Sequence, residues 1–152
     1  MATVPTDSIH LLARALLGSL GIADEAWHLE QVSLDAEQGS IELFVSPGRP
    51  VLHRCHRCGE PAGTYDSRPR SWRHTDVWGY ATTLRAQVPR VRCAVHGVQQ
   101  IDLPWTRRGS RRTRGREAEI LYWLRGASVR RVARRFDLPW ALAARLRDDP
   151  PE

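Results

Sequence analysis

Two short words constrain this chain more than anything else in it: Cys55-His-Arg-Cys58-Gly59 and Cys93-Ala-Val-His96-Gly97. Each sets two soft metal ligands two residues apart and follows them with glycine, and together they use all three cysteines of the chain. A tight turn of this kind lets both ligands converge on one ion, and the glycine supplies the positive φ that closes it. Cys55, Cys58, Cys93 and His96 therefore read as a Cys3His set, a closed four-coordinate Zn2+ site. His53 and His56 flank or fall within the first word and compete with His96 for the fourth place. His74, on a strand-like run, reads as a packed or solvent-facing histidine. A catalytic zinc keeps one position open for water, and four protein ligands leave none. The Pro-Cys-x-x-Cys word that follows a His-x-Glu word in a zinc deaminase is absent.

Three cysteines are an odd set, which argues against a disulfide framework. No basic n-region precedes the apolar stretch from Ile9 to Leu20, and no run approaches a membrane span. The expected location is the cytoplasm, at the nucleoid, with no membrane partner.

Charge is distributed unevenly. Residues 1–48 hold one arginine and seven acids, residues 49–106 nine arginines and four acids, and residues 107–152 thirteen arginines and six acids. All 23 basic residues are arginine, the side chain best suited to bidentate contact with phosphate and guanine. An acidic N-terminal lobe followed by a basic remainder points to a polyanionic partner for the middle and end of the chain.

The periodicities predict an α+β chain in four parts: a β-rich N-terminal segment, a zinc-ribbon-like finger with an inserted β-hairpin, a basic linker and a C-terminal helix-turn-helix. In residues 1–50, an amphipathic helix over 8–20 carries Leu12, Leu16 and Leu20, and a hairpin follows over 27–45 with its turn at Gln38-Gly39-Ser40. Ser46-Pro-Gly-Arg-Pro50 is the expected boundary. In the zinc block, 51–106, thirty-four residues separate Cys58 from Cys93, room for a hairpin of strands 71–78 and 80–88 turning at Gly79. Residues 107–116 are the Arg-rich linker, read either as solvated and disordered or as lying along phosphates. Residues 117–152 are the helix-turn-helix domain, helical over 117–147 with a frayed tail from Asp148, Ser128 capping a second helix and Pro139 opening a third.

The stretch from Ser128 to Leu146 has the spacing of a helix-turn-helix. On that reading Trp140, Ala141, Ala144 and Arg145 of the third helix face the major groove, and Arg130, Arg131, Arg134 and Arg135 of the supporting helix meet phosphates. Arg107, Arg108, Arg111, Arg112, Arg114 and Arg116 of the linker complete the expected DNA-binding set.

With the metal words stand Ser71-Trp-Arg-His-Thr-Asp76 and Val88-Pro-Arg-Val-Arg-Cys-Ala-Val-His96-Gly97. Over roughly residues 25–147 the chain resembles the N-terminal part of bacterial insertion-sequence transposases of the ISL-three family. The resemblance implies double-stranded DNA, the terminal inverted repeats of an element, as partner in DNA transposition, with a second copy or a full-length transposase as further partners. In that family a DDE domain follows, with three carboxylates holding two Mg2+ ions for strand cleavage. The acids after Gly115 are too few and too close together for such a site, so the expectation is a non-enzymatic DNA-binding chain lacking that domain. A zinc-ribbon module that binds RNA or a protein is the alternative.

Overall fold

The computed structural model describes residues 15–18, 20, 22, 27–48 and 53–150. The spine of its sheet is β4 (Ala81–Cys93). Thr82, Leu84, Ala86 and Val88 are buried, while Arg85 and Gln87 between them are exposed, so period-two alternation sends one face of the strand into the core. The hairpin β1 (Trp27–Asp35) and β2 (Ser40–Pro47) lies on one side of β4, and β3 (Gly63–Arg73) pairs antiparallel on the other. The short β5 (Gly97–Gln100) joins the far end of β4, giving a five-stranded sheet. Asp35 Oδ1 accepts from the Gln38 N–H at 2.9 Å and Gly39 sits at φ 64°, which fixes the β1–β2 turn.

Two expectations change here. The boundary at 46–50 does not separate two lobes. β2 runs parallel to β4, with Ile41 opposite Thr82, Leu43 opposite Leu84 and Val45 opposite Ala86. A parallel pair needs a long crossover, and residues 48–80, with the first metal knuckle and β3, provide it. One core spans both parts, from Leu43 and Val45 to Leu84, Val91 and Trp105. The buried ring of Trp105 stands edge-on to Trp27 at 4.7 Å and to Trp72 at 5.5 Å. The inserted hairpin also begins earlier than expected. β3 starts at Gly63 because it is an edge strand, where Pro69 costs no ladder bond and little apolar patterning is needed. The strand ends at Arg73, and Val77-Trp78-Gly79-Tyr80 forms the tight turn, with positive φ at Trp78 (52°) and Gly79 (82°).

Of the helix expected over 8–20, residues 15–18 are helical, and Leu16, Leu20 and Ile22 enter the sheet core. Residues 8–14 and 19 lie outside the described residues.

Three helices follow the sheet: α1 (Arg114–Leu124), α2 (Val129–Phe136) and α3 (Trp140–Asp148). Thr113 and Ser128 cap α1 and α2 by accepting from the N–H groups of Arg116 and Arg131. Asp137 turns left-handed at φ 49°, and the Leu138 N–H reaches back to the Ala133 carbonyl at 2.9 Å, closing α2 as a Schellman-type end. Ile120, Val132, Phe136, Ala143 and Leu146 form a second core, separate from that of the sheet.

The expected linker 107–116 is an ordered loop that runs into α1. Thr106 Oγ1 donates to the Arg112 carbonyl at 2.8 Å, and Ser110 Oγ donates to Glu117 Oε1 at 2.6 Å. The Arg73 N–H donates to the Arg111 carbonyl and the Thr113 N–H to the Arg73 carbonyl, at 2.9 and 3.1 Å. These backbone bonds hold the loop to the edge of β3, because the free side of an edge strand offers its N–H and C=O groups to any chain that passes.

Candidate metal centre and arginine surfaces

The first knuckle closes on itself. The Cys55 N–H donates to the Glu60 carbonyl and the Gly59 N–H to the Cys55 carbonyl, both at 2.8 Å, with Gly59 at φ 73°. The second knuckle is the turn between β4 and β5, where Cys93 pairs with Gly97 at φ 68°. The fold brings the two turns face to face. The Sγ atoms of Cys55, Cys58 and Cys93 and a ring nitrogen of His96 all lie within 4.8 Å of one another.

The separations fit zinc. Cys58 Sγ is 3.7 Å from Cys93 Sγ, and His96 Nδ1 is 3.6 Å from both Cys55 Sγ and Cys93 Sγ. A tetrahedron built on Zn–S of about 2.3 Å and Zn–N of about 2.0–2.1 Å has S–S edges of about 3.8 Å and S–N edges of about 3.6 Å. These contacts are edges of a coordination shell. The open choice of fourth ligand is settled by position: His96 stands in the cluster, and neither His53 nor His56 does. His74 is buried elsewhere, its Nδ1 2.8 Å from Thr113 Oγ1.

Burial pushes the Cys55 thiol up, but the backbone N–H groups of Cys58 and Arg57 and the thiols of Cys93 and Cys58 outweigh it and bring its pKa down to about 6. The Cys58 thiol is favoured as thiolate by the Glu60 N–H, yet burial and the two neighbouring sulfurs leave it raised. One sulfur of the cluster is thus predisposed to the charged form that a metal requires. Four protein ligands fill a tetrahedral shell, so the bound ion would cross-link the first knuckle to the β4–β5 turn and leave no open position for water.

Comparison with known proteins agrees with this geometry. Residues 52–96 match the zinc-finger of transposase IS204/IS1001/IS1096/IS1165. This segment is similar to an ISL3-type zinc ribbon. The chain is also 32% identical over 146 residues to the transposase for insertion sequence element IS1557 of Mycobacterium tuberculosis, in strains CDC 1551 / Oshkosh and H37Rv alike. The match covers 89% of this chain and 32% of each relative, so the chain spans about a third of the length of the curated relatives it matches. The resemblance to ISL3-type transposases drawn from the Cys/His and Trp-Arg-His words therefore holds, and the ribbon is a zinc site. No solved structure matches.

The expected DNA-binding arginines fall into different settings. Arg130, Arg131 and Arg134 on α2 and Arg145 on α3 are exposed, and none has a carboxylate partner among the described residues. Arg135 lies over the Trp123 ring at 5.2 Å, and Trp140 is exposed at the start of α3. In the loop, Arg107 pairs with Glu117 at 3.4 Å, while Arg108 donates to the Gln100 carbonyl at 2.7 Å and lies 3.8 Å from Asp102. Arg112 is half-buried, and burial holds its pKa below the usual arginine range; Glu117 opposes that shift, and Arg145 and Arg116 add to it.

Arg116 departs from the expected surface set. It is buried, 3.1 Å from Glu119 and 3.8 Å from Asp76, with its guanidinium 4.6 Å above the Phe136 ring. Its charge is spent inside the protein, joining the helical core to the end of the β3–β4 hairpin.

Sequence reasoning missed what the Trp72-Arg73-His74-Thr75-Asp76 word does. Trp72 enters the sheet core. Arg73 Nη1 donates to the Thr82 carbonyl at 2.7 Å, and its other Nη pairs with Asp76. His74 meets the cap of α1, and Asp76 meets Arg116. The word is the joint between ribbon-bearing sheet and helices. A mixed Arg-His-Asp cluster directly after a core tryptophan was the available signal.

Proposed function

We propose that this chain is a DNA-recognition arm of transposase type, in which α2 and α3 act as a helix-turn-helix on double-stranded DNA and the zinc ribbon stiffens the sheet that carries them. The observation that carries the reading is the outward side of α2 and α3. Arg130, Arg131, Arg134, Trp140, Ala141 and Arg145 are exposed there, while Val132, Ala133, Ala143 and Leu146 hold the two helices together from within. α3 would enter the major groove with Trp140, Ala141 and Arg145 at base edges, and the α2 arginines would hold phosphates. The proposed target, supported by the likeness to transposases, is the terminal inverted repeats of an element, reached at the nucleoid.

Recognition, not strand cleavage, is the share of transposition assigned to these residues. Glu117 and Glu119 are held by Arg107 and Arg116, and Asp148 by Arg147. No helix among the described residues is long and apolar enough to cross a membrane.

The test is selection of duplexes from a random-sequence library, followed by fluorescence anisotropy of a selected duplex against excess unlabelled competitor. Specific binding survives the competitor, and Arg145→Ala weakens it by about 1–3 kcal/mol while relaxing one position of the site. Equal binding of every duplex, or tighter binding of RNA, would sink the reading. Mg2+-dependent nicking by this chain alone would overturn its non-catalytic part.

A further inference from the structure

A groove of about 910 Å3 opens between the sheet and the loop that follows β5. Six arginines line it: Arg70 from β3, Arg85 from β4, Arg107, Arg108 and Arg111 from the loop, and Arg114 from the start of α1. Only two carboxylates, Glu30 and Asp102, share the lining. Three of the arginines are engaged, Arg85 with Glu42, Arg107 with Glu117 and Arg108 with Asp102. Arg70, Arg111 and Arg114 are exposed and have no carboxylate partner among the described residues.

These three come from a strand, a loop and a helix, and their backbones are fixed relative to one another. Arg111 and Thr113 are bonded to Arg73, three residues along β3 from Arg70. The Arg114 N–H donates to the Trp105 carbonyl at 2.7 Å, beside a fully buried indole. Unneutralised guanidinium groups anchored on a fixed concave backbone attract a polyanion and leave only their own side chains to be ordered on binding. The positive surface also reaches the helices, because Arg112, next to Arg111, lies within electrostatic range of Arg145 on α3.

We infer that this groove is a phosphodiester track, along which the backbone of the duplex held by α3 continues over the sheet against Arg70, Arg111 and Arg114. The inference rests on the DNA-binding reading above and adds the sheet to the contact surface. Contacts of this kind position a duplex and carry no sequence information, so they set affinity and salt dependence but not specificity.

The test uses the full zinc-loaded chain, a fluorescein-labelled mixed-sequence duplex and a potassium chloride titration. The triple variant Arg70→Gln, Arg111→Gln, Arg114→Gln should flatten the slope of log K against log salt by about 2–3, with discrimination for a selected duplex unchanged. If the triple variant loses zinc or helicity, Arg70→Gln alone, which has no ion pair to lose among the described residues, should flatten the slope by about 1. A wild-type chain that binds duplex with the same slope as the variants overturns the track and leaves the DNA-binding reading standing. A wild-type chain that binds no duplex overturns both. Variants unchanged on DNA but no longer retained by polyglutamate would assign the groove to an acidic protein and likewise overturn the track.

Discussion

The imidazole Nδ1 of His74 lies 2.8 Å from the Oγ1 of Thr113, the residue that caps α1. One contact therefore ties the end of β3 to the first turn of the helical module. His74 is buried, and burial, with the charges of Arg116 and Arg73, lowers its pKa to about 4, against a smaller opposing effect of Asp76. The folded protein thus keeps His74 neutral, where an unfolded chain would protonate it near 6.5.

The sign follows from linkage. Above pH 6.5 neither state binds the proton and His74 adds no pH dependence. Between about 6.5 and 4 only the unfolded state takes it up, so stability falls by roughly 1.4 kcal/mol per pH unit from this group. Urea unfolding of zinc-loaded wild type and His74→Asn across that range measures the difference. Parallel pH profiles for the two proteins would remove His74 from the joint.

Arg116 and Arg130 are both helix arginines but should behave oppositely. Arg116→Ala leaves Glu119 without its partner, leaves Asp76 to Arg73 alone and empties the space over Phe136, a loss of about 1–3 kcal/mol. Arg130→Ala, at an exposed residue with no carboxylate partner among the described residues, should stay within about 0.5 kcal/mol of wild type and show its effect in duplex binding. Thermal and denaturant melts of both variants decide it.

Protein purified without added metal should carry about one zinc per chain. Cys93→Ser or chelation should unfold the first knuckle and the β4–β5 turn, because among the described residues the other ties in those loops are a few hydrogen bonds to backbone carbonyls. His53→Ala should keep the metal and His96→Ala should weaken it. Metal analysis by plasma spectrometry reads all three, and retention of zinc by His96→Ala at wild-type affinity would contradict the geometry.

Trp78 holds φ 52° in a tight turn that prefers Asn-Gly, and its indole is 70% exposed, so little packing offsets the strain. Trp78→Asn should therefore raise stability by about 1 kcal/mol. A drop in melting temperature would mean that the indole makes contacts worth more than the strain.

Parts of this architecture were legible in the residues. The ligand pairs are local words, the β1–β2 hairpin follows its turn residues, and Ser128 caps α2 where the pattern placed it. The pairing of β2 with β4 was not legible. It joins Ser40 to Ala81 in parallel, and nothing in either strand's alternation names its partner across the intervening chain. The punctuation at Ser46–Pro50 thus looked like a domain boundary although the sheet continues past it.

The loop arginines show the same limit. Arg114 and Arg116 are alike in sequence, yet one is exposed and the other is buried against Asp76, far upstream. What the sequence determined by itself was chemistry with short range: three thiolates and an imidazole in paired turns, helix caps, and a basic C-terminal half. Only the tertiary structure decided which imidazole joins the three thiols, which arginines are spent in holding sheet to helices, and which are left exposed with no carboxylate partner among the described residues. Those outcomes depend on neighbours that the fold, not the chain order, brings within a few ångströms.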